Sequence, residues 1–284
     1  MLWNRYIYYE IFMRVVLYLA LIAALLVPGS GRGQSVSAWL DMGQPPTERS
    51  QEDLRQLEKF VESMQDDAPA SARQLSKVFR KVHATYLKKY EAYADFPALF
   101  TDGTYDCLTA TALFSHVLSA LGYDYRIIET NYHIFILVQS TEGEVLLEST
   151  DRASGFVTDP ATIEKRTQGY RLLEASAPMK GQVSYQYRCD IFREVSPDQL
   201  SGLLLFNQAV KAYNRGDWLS SARFLESSFA FQESERADEL GELLIRTVVV
   251  RKDVSQDLRR ACMEHLMPFV IRRSGRVAIQ SATD

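Results

Sequence analysis

The sequence predicts an α+β protein in which a central helix packs against an antiparallel sheet and further helices flank this core. Three observations carry the prediction. Residues 108–121 are apolar nearly all round and stop at Gly122, as expected of an enclosed helix. Residues 123–149 form three runs rich in Ile, Val, Leu, Tyr and Phe, which is typical of strands. From Ser196 onward the pattern is helical.

A single cysteine, Cys107, stands at the start of the predicted central helix, after a turn formed by residues 104–106. The unpaired N–H groups of a first helical turn and the positive end of the helix dipole favour a negative charge. We therefore expect a lowered pKa and a reactive thiolate at Cys107. The alternative is a packing role, because a lone cysteine often serves as a small buried hydrophobe.

Strands are predicted over residues 123–130, 131–139 and 144–149, with a short turn containing Gly143 between the last two. This hairpin sets His133 opposite Thr150 and Asp151, with Glu148 as a diagonal neighbour. One or two residues of register decide which carboxylate reaches the imidazole. A thiol, an imidazole and a carboxylate are the parts of a Cys-His-acid nucleophile system.

The order of these motifs over residues 101–151 resembles the core of the transglutaminase-like superfamily, which is related to papain-type cysteine enzymes. Members usually carry Gly-x-Cys, then His-Ala-Trp or a similar motif, then Asp-Pro-Thr. This chain has Tyr-Asp-Cys at 105–107, His-Ile-Phe at 133–135 and Glu-Ser-Thr at 148–150. It therefore departs from the family pattern in having Glu at the acid position and no tryptophan after the histidine.

The resemblance implies that Cys107 is the nucleophile, His133 the base and Glu148 the acid, with Asp151 as the alternative acid. Backbone N–H groups of Asp106 and Cys107 would hold the oxyanion. The implied function is an exported cysteine acyl-transfer enzyme that hydrolyses a peptide or amide bond. The alternative is a catalytically inactive transglutaminase-like scaffold that binds proteins through its C-terminal helices.

Composition narrows the function class. The net charge of −4 and the absence of a known motif argue against a nucleic-acid binder. The three cysteines form no CxxC pair and no cluster with histidine, so neither a metal nor another cofactor is expected. Cys189 and Cys262 lie on apolar faces and are interpreted as core residues, with a disulfide between them as the alternative in an exported protein.

The N-terminal residues 1–33 have the pattern of an export signal. Arg5 and Arg14 precede the uncharged run 15–27, and Pro28 and Gly29 end it. The run is shorter than a membrane-spanning helix of about 20 residues. We expect a cleaved signal peptide and a periplasmic or extracellular protein; the alternative is an uncleaved membrane anchor.

Residues 34–100 are predicted to form an N-terminal helical segment. A first helix starts at Ser50, capped with Asp53. A second directs Leu75, Val78, Phe79, Val82 and Tyr86 inward and leaves a basic face, with His83, at the surface.

The region resembling a transglutaminase-like core spans residues 101–195, and its remaining segments are predicted as a mixture of loops, a helix and a strand. Tyr105 and Tyr132 are expected either to line a cleft or to pack in the core, and His116 to be buried. Residues 90–102 and 152–160 are predicted as loops, 161–175 as a helix, and 182–194 as a strand that closes the sheet.

Residues 196–284 are predicted to be helical, with Ser196, Pro197 and Gln199 as a start signal. Residues 206–228 resemble one tetratricopeptide repeat, with a turn at 216–218, and helices over 240–250 and 254–271 would stack on it. This region is expected either to bind a protein partner or to pack as a helical subdomain.

Overall fold

The computed structural model describes residues 31–41, 45–65, 70–171, 191–231 and 234–283. The chain divides into two compact units, Met1–Gln34 and Ser35–Asp284. The predicted export signal lies almost entirely outside the described residues. Among the described residues, none of the helices is both long and apolar enough to cross a membrane.

Ten helices lie in the described part of the chain. They are α1 (Gly31–Asp41), α2 (Glu48–Glu62), α3 (Ala72–Thr85), α4 (Ala98–Thr101), α5 (Cys107–Ala120), α6 (Pro160–Arg171), α7 (Pro197–Arg215), α8 (Trp218–Phe231), α9 (Glu235–Val250) and α10 (Gln256–Thr283). The described part also contains seven strands: β1 (Lys89–Tyr90), β2 (Thr104–Tyr105), β3 (Tyr125–Thr130), β4 (Ile134–Ser140), β5 (Gly143–Leu147), β6 (Phe156–Val157) and β7 (Phe192–Val195).

Five of the strands form one antiparallel sheet in the order β6-β5-β4-β3-β7. Alternate residues of its strands enter two different cores. Ile136 and Leu147 pack on the side of α5, whereas Phe135 and Leu146 pack on the side of α6. The strands are apolar on both faces because helices cover both faces. This architecture confirms the predicted α+β class and the antiparallel sheet.

The central helix α5 is buried over most of its length, as predicted, and ends at Gly122, whose φ is 76°. Its exception is a narrow part-exposed strip of His116, Ser119 and Ala120, which share one helical face. The prediction that His116 is buried is therefore wrong, because His116 lies on this part-exposed strip.

Helix α3 follows its predicted apolar stripe: Leu75, Val78, Phe79 and Val82 on the helix and Tyr86 at its C-cap are all buried. Two details differ. Helix α2 is capped by Thr47, whose partner is Ser50, so the predicted cap of Ser50 with Asp53 is wrong. His83 is fully buried and not at the surface, because the rings of Phe79 and Phe114 lie 4.5 Å and 5.8 Å from it.

Several predicted bounds also shift. Residues 131–133 form a bend before β4, the loop 152–160 contains β6, and the segment 90–102 contains α4 and the end of β1. Strand β7 pairs with β3 as expected of the strand at 182–194, but residues 182–190, with Cys189, lie outside the described residues.

The C-terminal helices α7–α10 enclose a second core that includes Tyr213, Leu225, Leu244 and Leu266. Helix α7 begins at the predicted Ser196 cap, with Gln199 as its capping-box partner and Pro197 in the first turn. It ends at Gly216 in the left-handed conformation, and α8 begins two residues later. Cys262 is a free cysteine buried in this core, as its helical face predicted.

Candidate active site

The start of helix α5 is fixed by a buried capping box next to Cys107. The Asp106 carboxylate accepts hydrogen bonds from the Thr109 backbone N–H (2.7 Å) and hydroxyl (2.9 Å). In return, the Asp106 backbone N–H donates to the Thr109 hydroxyl over 2.8 Å. Because that N–H is already used, Asp106 does not present the oxyanion donor expected from the sequence, and Cys107 N–H remains the candidate.

The Cys107 side chain is partly buried beneath this cap. Burial raises the pKa of the Cys107 thiol, and the charges of Asp106 and Glu148 raise it further, against the lowering by helix N–H groups. The expectation of a lowered pKa is therefore wrong for this arrangement. The helix start favours a thiolate, but burial and two neighbouring carboxylates outweigh it, so the resting thiol is neutral.

His133 and Glu148 form a close pair at the adjoining ends of β4 and β5. His133 Nε2 lies 2.5 Å from Glu148 Oε2, and both side chains are largely buried, at 12% and 5% exposed. The β4–β5 register pairs Ile136 with Leu147, so one step further Phe135 stands opposite Glu148. Glu148 is thus the diagonal neighbour of His133, as the hairpin indicated.

Glu148 is held in place by Thr150 as well as by His133. The Thr150 hydroxyl and backbone N–H donate to Glu148 Oε1 over 2.6 Å and 3.0 Å. Burial by itself would raise the pKa of Glu148, but the hydrogen bonds from His133 and Thr150 outweigh it and the pKa is lowered. Glu148 is therefore a carboxylate that orients the imidazole, with His133 Nδ1 left as the nitrogen that can accept a proton.

Asp151, the alternative acid, is bonded elsewhere. One carboxylate oxygen accepts the Ser154 N–H over 2.8 Å, and the other lies 3.7 Å from Arg166. It closes the turn after β5 and does not contact the imidazole.

The chain just after β5, which carries Glu148, lies against the first turn of α5, which begins with Cys107. The Ser149 hydroxyl lies 3.4 Å from the Cys107 carbonyl oxygen and 3.5 Å from the Thr111 hydroxyl, which ties this strand end to the first turn of α5. Within the described residues, no hydrogen bond joins the Cys107 thiol to His133.

An aromatic side chain that sequence analysis missed covers the imidazole. Tyr170 of α6 lies with its ring centroid 4.7 Å from that of His133 and 5.1 Å from that of Phe135. Burial, followed by the charge of Glu148, raises the pKa of Tyr170 to about 12. Its position as the last residue but one of α6 carries no sequence signal, because the contact depends on how α6 crosses the sheet.

Four further tyrosines surround the Cys107 turn. Tyr105 is buried and meets the half-exposed ring of Tyr90 edge to face at 5.9 Å, which settles Tyr105 as a packing residue. Tyr132 is 37% exposed, so it does not pack in the core. Burial raises the pKa of Tyr93, and the charge of Asp106 raises it further.

In the part of the chain that the structure describes, His, Cys, Asp and Glu side chains form no group of three suited to a metal ion. No protein-family model matches the chain, and neither the curated proteins nor the solved structures contain a significant match to it.

Proposed function

We propose that the protein is a cysteine acyl-transfer enzyme of transglutaminase-like type that hydrolyses a peptide or amide bond. The observation that carries the proposal is the buried hydrogen bond of 2.5 Å between His133 and Glu148, beside the helix start that bears Cys107. A carboxylate that fixes an imidazole next to a helix-borne thiol is the arrangement that nucleophilic acyl transfer requires.

In this mechanism the Cys107 sulfur attacks the substrate carbonyl carbon while its proton passes to His133 Nδ1. Glu148 stabilises the imidazolium through Nε2, and the Cys107 backbone N–H stabilises the oxyanion. The C–N bond then breaks, His133 protonates the leaving amine, and a thioester remains on Cys107. Water, losing a proton to His133, releases the acid and restores the thiol.

The raised pKa of Cys107 shapes this mechanism. A neutral resting thiol must lose its proton as it attacks, so His133 acts as a general base and not as the partner of a preformed thiolate. The reaction then depends strongly on His133, whose removal is expected to slow acylation by about 10²–10⁴-fold.

The test is formation of an acyl-enzyme with p-nitrophenyl acetate, followed by intact mass and peptide mapping. We expect one acetyl group on Cys107, none in Cys107→Ser and slow acylation in His133→Ala. Cys262→Ser is the matched control, because that thiol is buried in the other core, and it should behave as wild type. Acetylation that survives Cys107→Ser would refute the proposal. Adding methylamine separates hydrolysis from crosslinking, since an amine acceptor would give N-methylacetamide.

A second candidate function is an interaction module built on the C-terminal helices. Among the described residues, the large apolar side chains that are most exposed lie mainly there: Phe231, Val249, Val250, Met267 and Ile271. Such exposed residues favour a protein partner. This function predicts complexes that persist in Cys107→Ser and are lost when Val250 and Ile271 are changed to Ser.

A further inference from the structure

The C-terminal helices contact the two chain segments that carry the proposed nucleophile and base. One contact is made by α7 at the Cys107 turn. Asn207 Nδ2 donates to Asp106 Oδ2 over 3.2 Å, so the cap of α5 is held from another helix. The neighbouring residues Gln208 and Lys211 bind the segment before the turn, at the Ala94 carbonyl and the Asp95 carboxylate.

The second contact is made by Arg236, in the first turn of α9. Its guanidinium lies 3.1 Å from the Glu129 carboxylate, and Arg193 binds the other oxygen of Glu129 at 2.7 Å. A second nitrogen of Arg236 donates to the carbonyl oxygens of Thr130 and Asn131, both at 3.5 Å.

The segment that Arg236 holds is the bend leading into His133. Within this bend the Thr130 backbone N–H donates to the His133 carbonyl oxygen over 2.8 Å, and the His133 N–H donates to the Thr130 hydroxyl over 3.1 Å. The position of His133 therefore depends on Thr130, which Arg236 fixes from the helical region.

We propose that the C-terminal helical region is a working part of the active site, in which Asn207 and Arg236 are positioning residues that hold the Cys107 turn and the His133 bend. The inference rests on the proposed function. It replaces the view of these helices as a separate recruitment module, because two residues from two different helices each bind one half of the catalytic apparatus.

Both contacts involve buried acidic side chains, which water cannot readily reach if the partner is removed. Glu129 is 3% exposed and Arg236 is 12% exposed, so their ion pair is shielded from water. Asp106 is also buried, and burial raises its pKa while the bonds from Thr109 and Asn207 lower it. Loss of Asn207 leaves one oxygen of a buried carboxyl without this donor, which loosens the cap beside Cys107.

The experiment uses the full chain with Asn207→Ala, and with the double variant Glu129→Gln/Arg236→Gln, which removes the buried carboxylate and the α9 guanidinium together and leaves Arg193 facing a neutral amide in place of Glu129. Matched controls are Asn214→Ala, an exposed residue of α7, and Arg246→Ala, an exposed residue of α9. Two readouts are taken: amide hydrogen exchange of residues 107–109 and 130–133, and the burst of p-nitrophenol from p-nitrophenyl acetate.

We expect the amide exchange rate of residues 107–109 to rise about tenfold in Asn207→Ala. The exchange rate of residues 130–133 should rise by a similar factor in the double variant. A tenfold rise corresponds to the loss of one hydrogen bond to a charged group. The rate constant of the burst should fall about tenfold in both, with the burst size unchanged. A merely destabilised protein would instead lose burst size, because that quantity counts competent molecules.

Exchange and burst rates equal to those of Asn214→Ala and Arg246→Ala would overturn the inference. The two proposals can fail separately. If wild type gives no burst, the proposed enzyme function fails, and amide exchange alone then decides whether Asn207 and Arg236 hold these segments.

Discussion

At the scale of single residues, the site is defined by which of two nearby carboxylates reaches the imidazole. Glu148 bonds His133 and Thr150 at the end of β5, whereas Asp151 bonds Ser154 and faces Arg166. Only two residues separate them in sequence, but only Glu148 lies on the face of the hairpin that carries His133.

This difference predicts that the same carboxylate-to-amide change strongly slows Cys107 acylation at position 148 and hardly affects it at position 151. Glu148→Gln should reduce the rate of Cys107 acylation by about 100-fold or more, because an amide neither stabilises the imidazolium nor holds the same tautomer. Asp151→Asn, the control, should change the rate less than about twofold. Burst kinetics of both variants with p-nitrophenyl acetate provide the measurement, and an equal loss in Asp151→Asn would contradict the assignment of the acid.

His83 predicts an acid sensitivity of the fold. It is fully buried, neither ring nitrogen has a hydrogen-bond partner among the described residues, and burial, followed by the charge of Arg152, lowers its pKa from 6.5 to about 4. Between these two pH values the unfolded chain binds more protons than the folded chain, so stability falls as the pH decreases. The loss amounts to about 3 kcal/mol by proton linkage.

Substitution His83→Leu should remove this loss, and it should also stabilise the protein near neutral pH by about 1–2 kcal/mol, since it removes two unsatisfied buried nitrogens. Urea unfolding of both proteins near pH 7 and near pH 4 measures the effect. A difference in stability between them that stays constant over this pH range would contradict the burial of a neutral His83.

At the scale of elements, local signals determine where the helices begin. Capping boxes start α2, α3, α5 and α7, each with a side chain three residues after the cap. The box at Ser196 could be found in the sequence, whereas at α2 two overlapping candidates, Thr47 with Ser50 and Ser50 with Asp53, satisfy similar patterns.

Packing between elements predicts that a Gly→Ala substitution lowers the free energy of unfolding at one helical glycine and raises it at another. In Gly241→Ala on α9, the added methyl group would lie 2.7 Å from Phe269 Cγ on α10, so the variant should lose about 1–3 kcal/mol. At Gly169 on α6 no atom of the described residues lies within 4 Å of that position, and Gly169→Ala should gain about 0.5–1 kcal/mol from helix propensity. Chemical denaturation of the two variants and the wild type measures these stability changes. A stabilised Gly241→Ala variant would rule out the close contact of α9 with α10.

At the scale of the whole molecule, the sequence predicted those features that depend on residues close together in the chain. The order of the core elements, the β4–β5 hairpin and the diagonal position of Glu148 follow from short-range patterns and turn geometry. Contacts between distant segments could not be predicted, because nothing in a local pattern states which helix will cover it. The burial of His83 and the approach of Tyr170, Asn207 and Arg236 to the site are of this kind.

The same distinction explains the error about Cys107. Its place at a helix start was visible in sequence and suggested a lowered pKa. The opposing effects are burial, the charge of Glu148 across the fold, and an adjacent Asp106 that becomes enclosed only after folding. Whether the thiol is reactive therefore depends on His133.

The most direct measurement of this central claim is the rate of iodoacetamide alkylation at Cys107 as a function of pH, in wild type and His133→Ala, with buried Cys262 as an internal reference. We predict that Cys107 in wild type reacts near neutral pH, well below the pH at which its raised pKa would ionise it unaided. In His133→Ala the rate should fall by about 100-fold or more. Equal rates in the two proteins, appearing only at alkaline pH, would contradict a Cys107–His133 nucleophile.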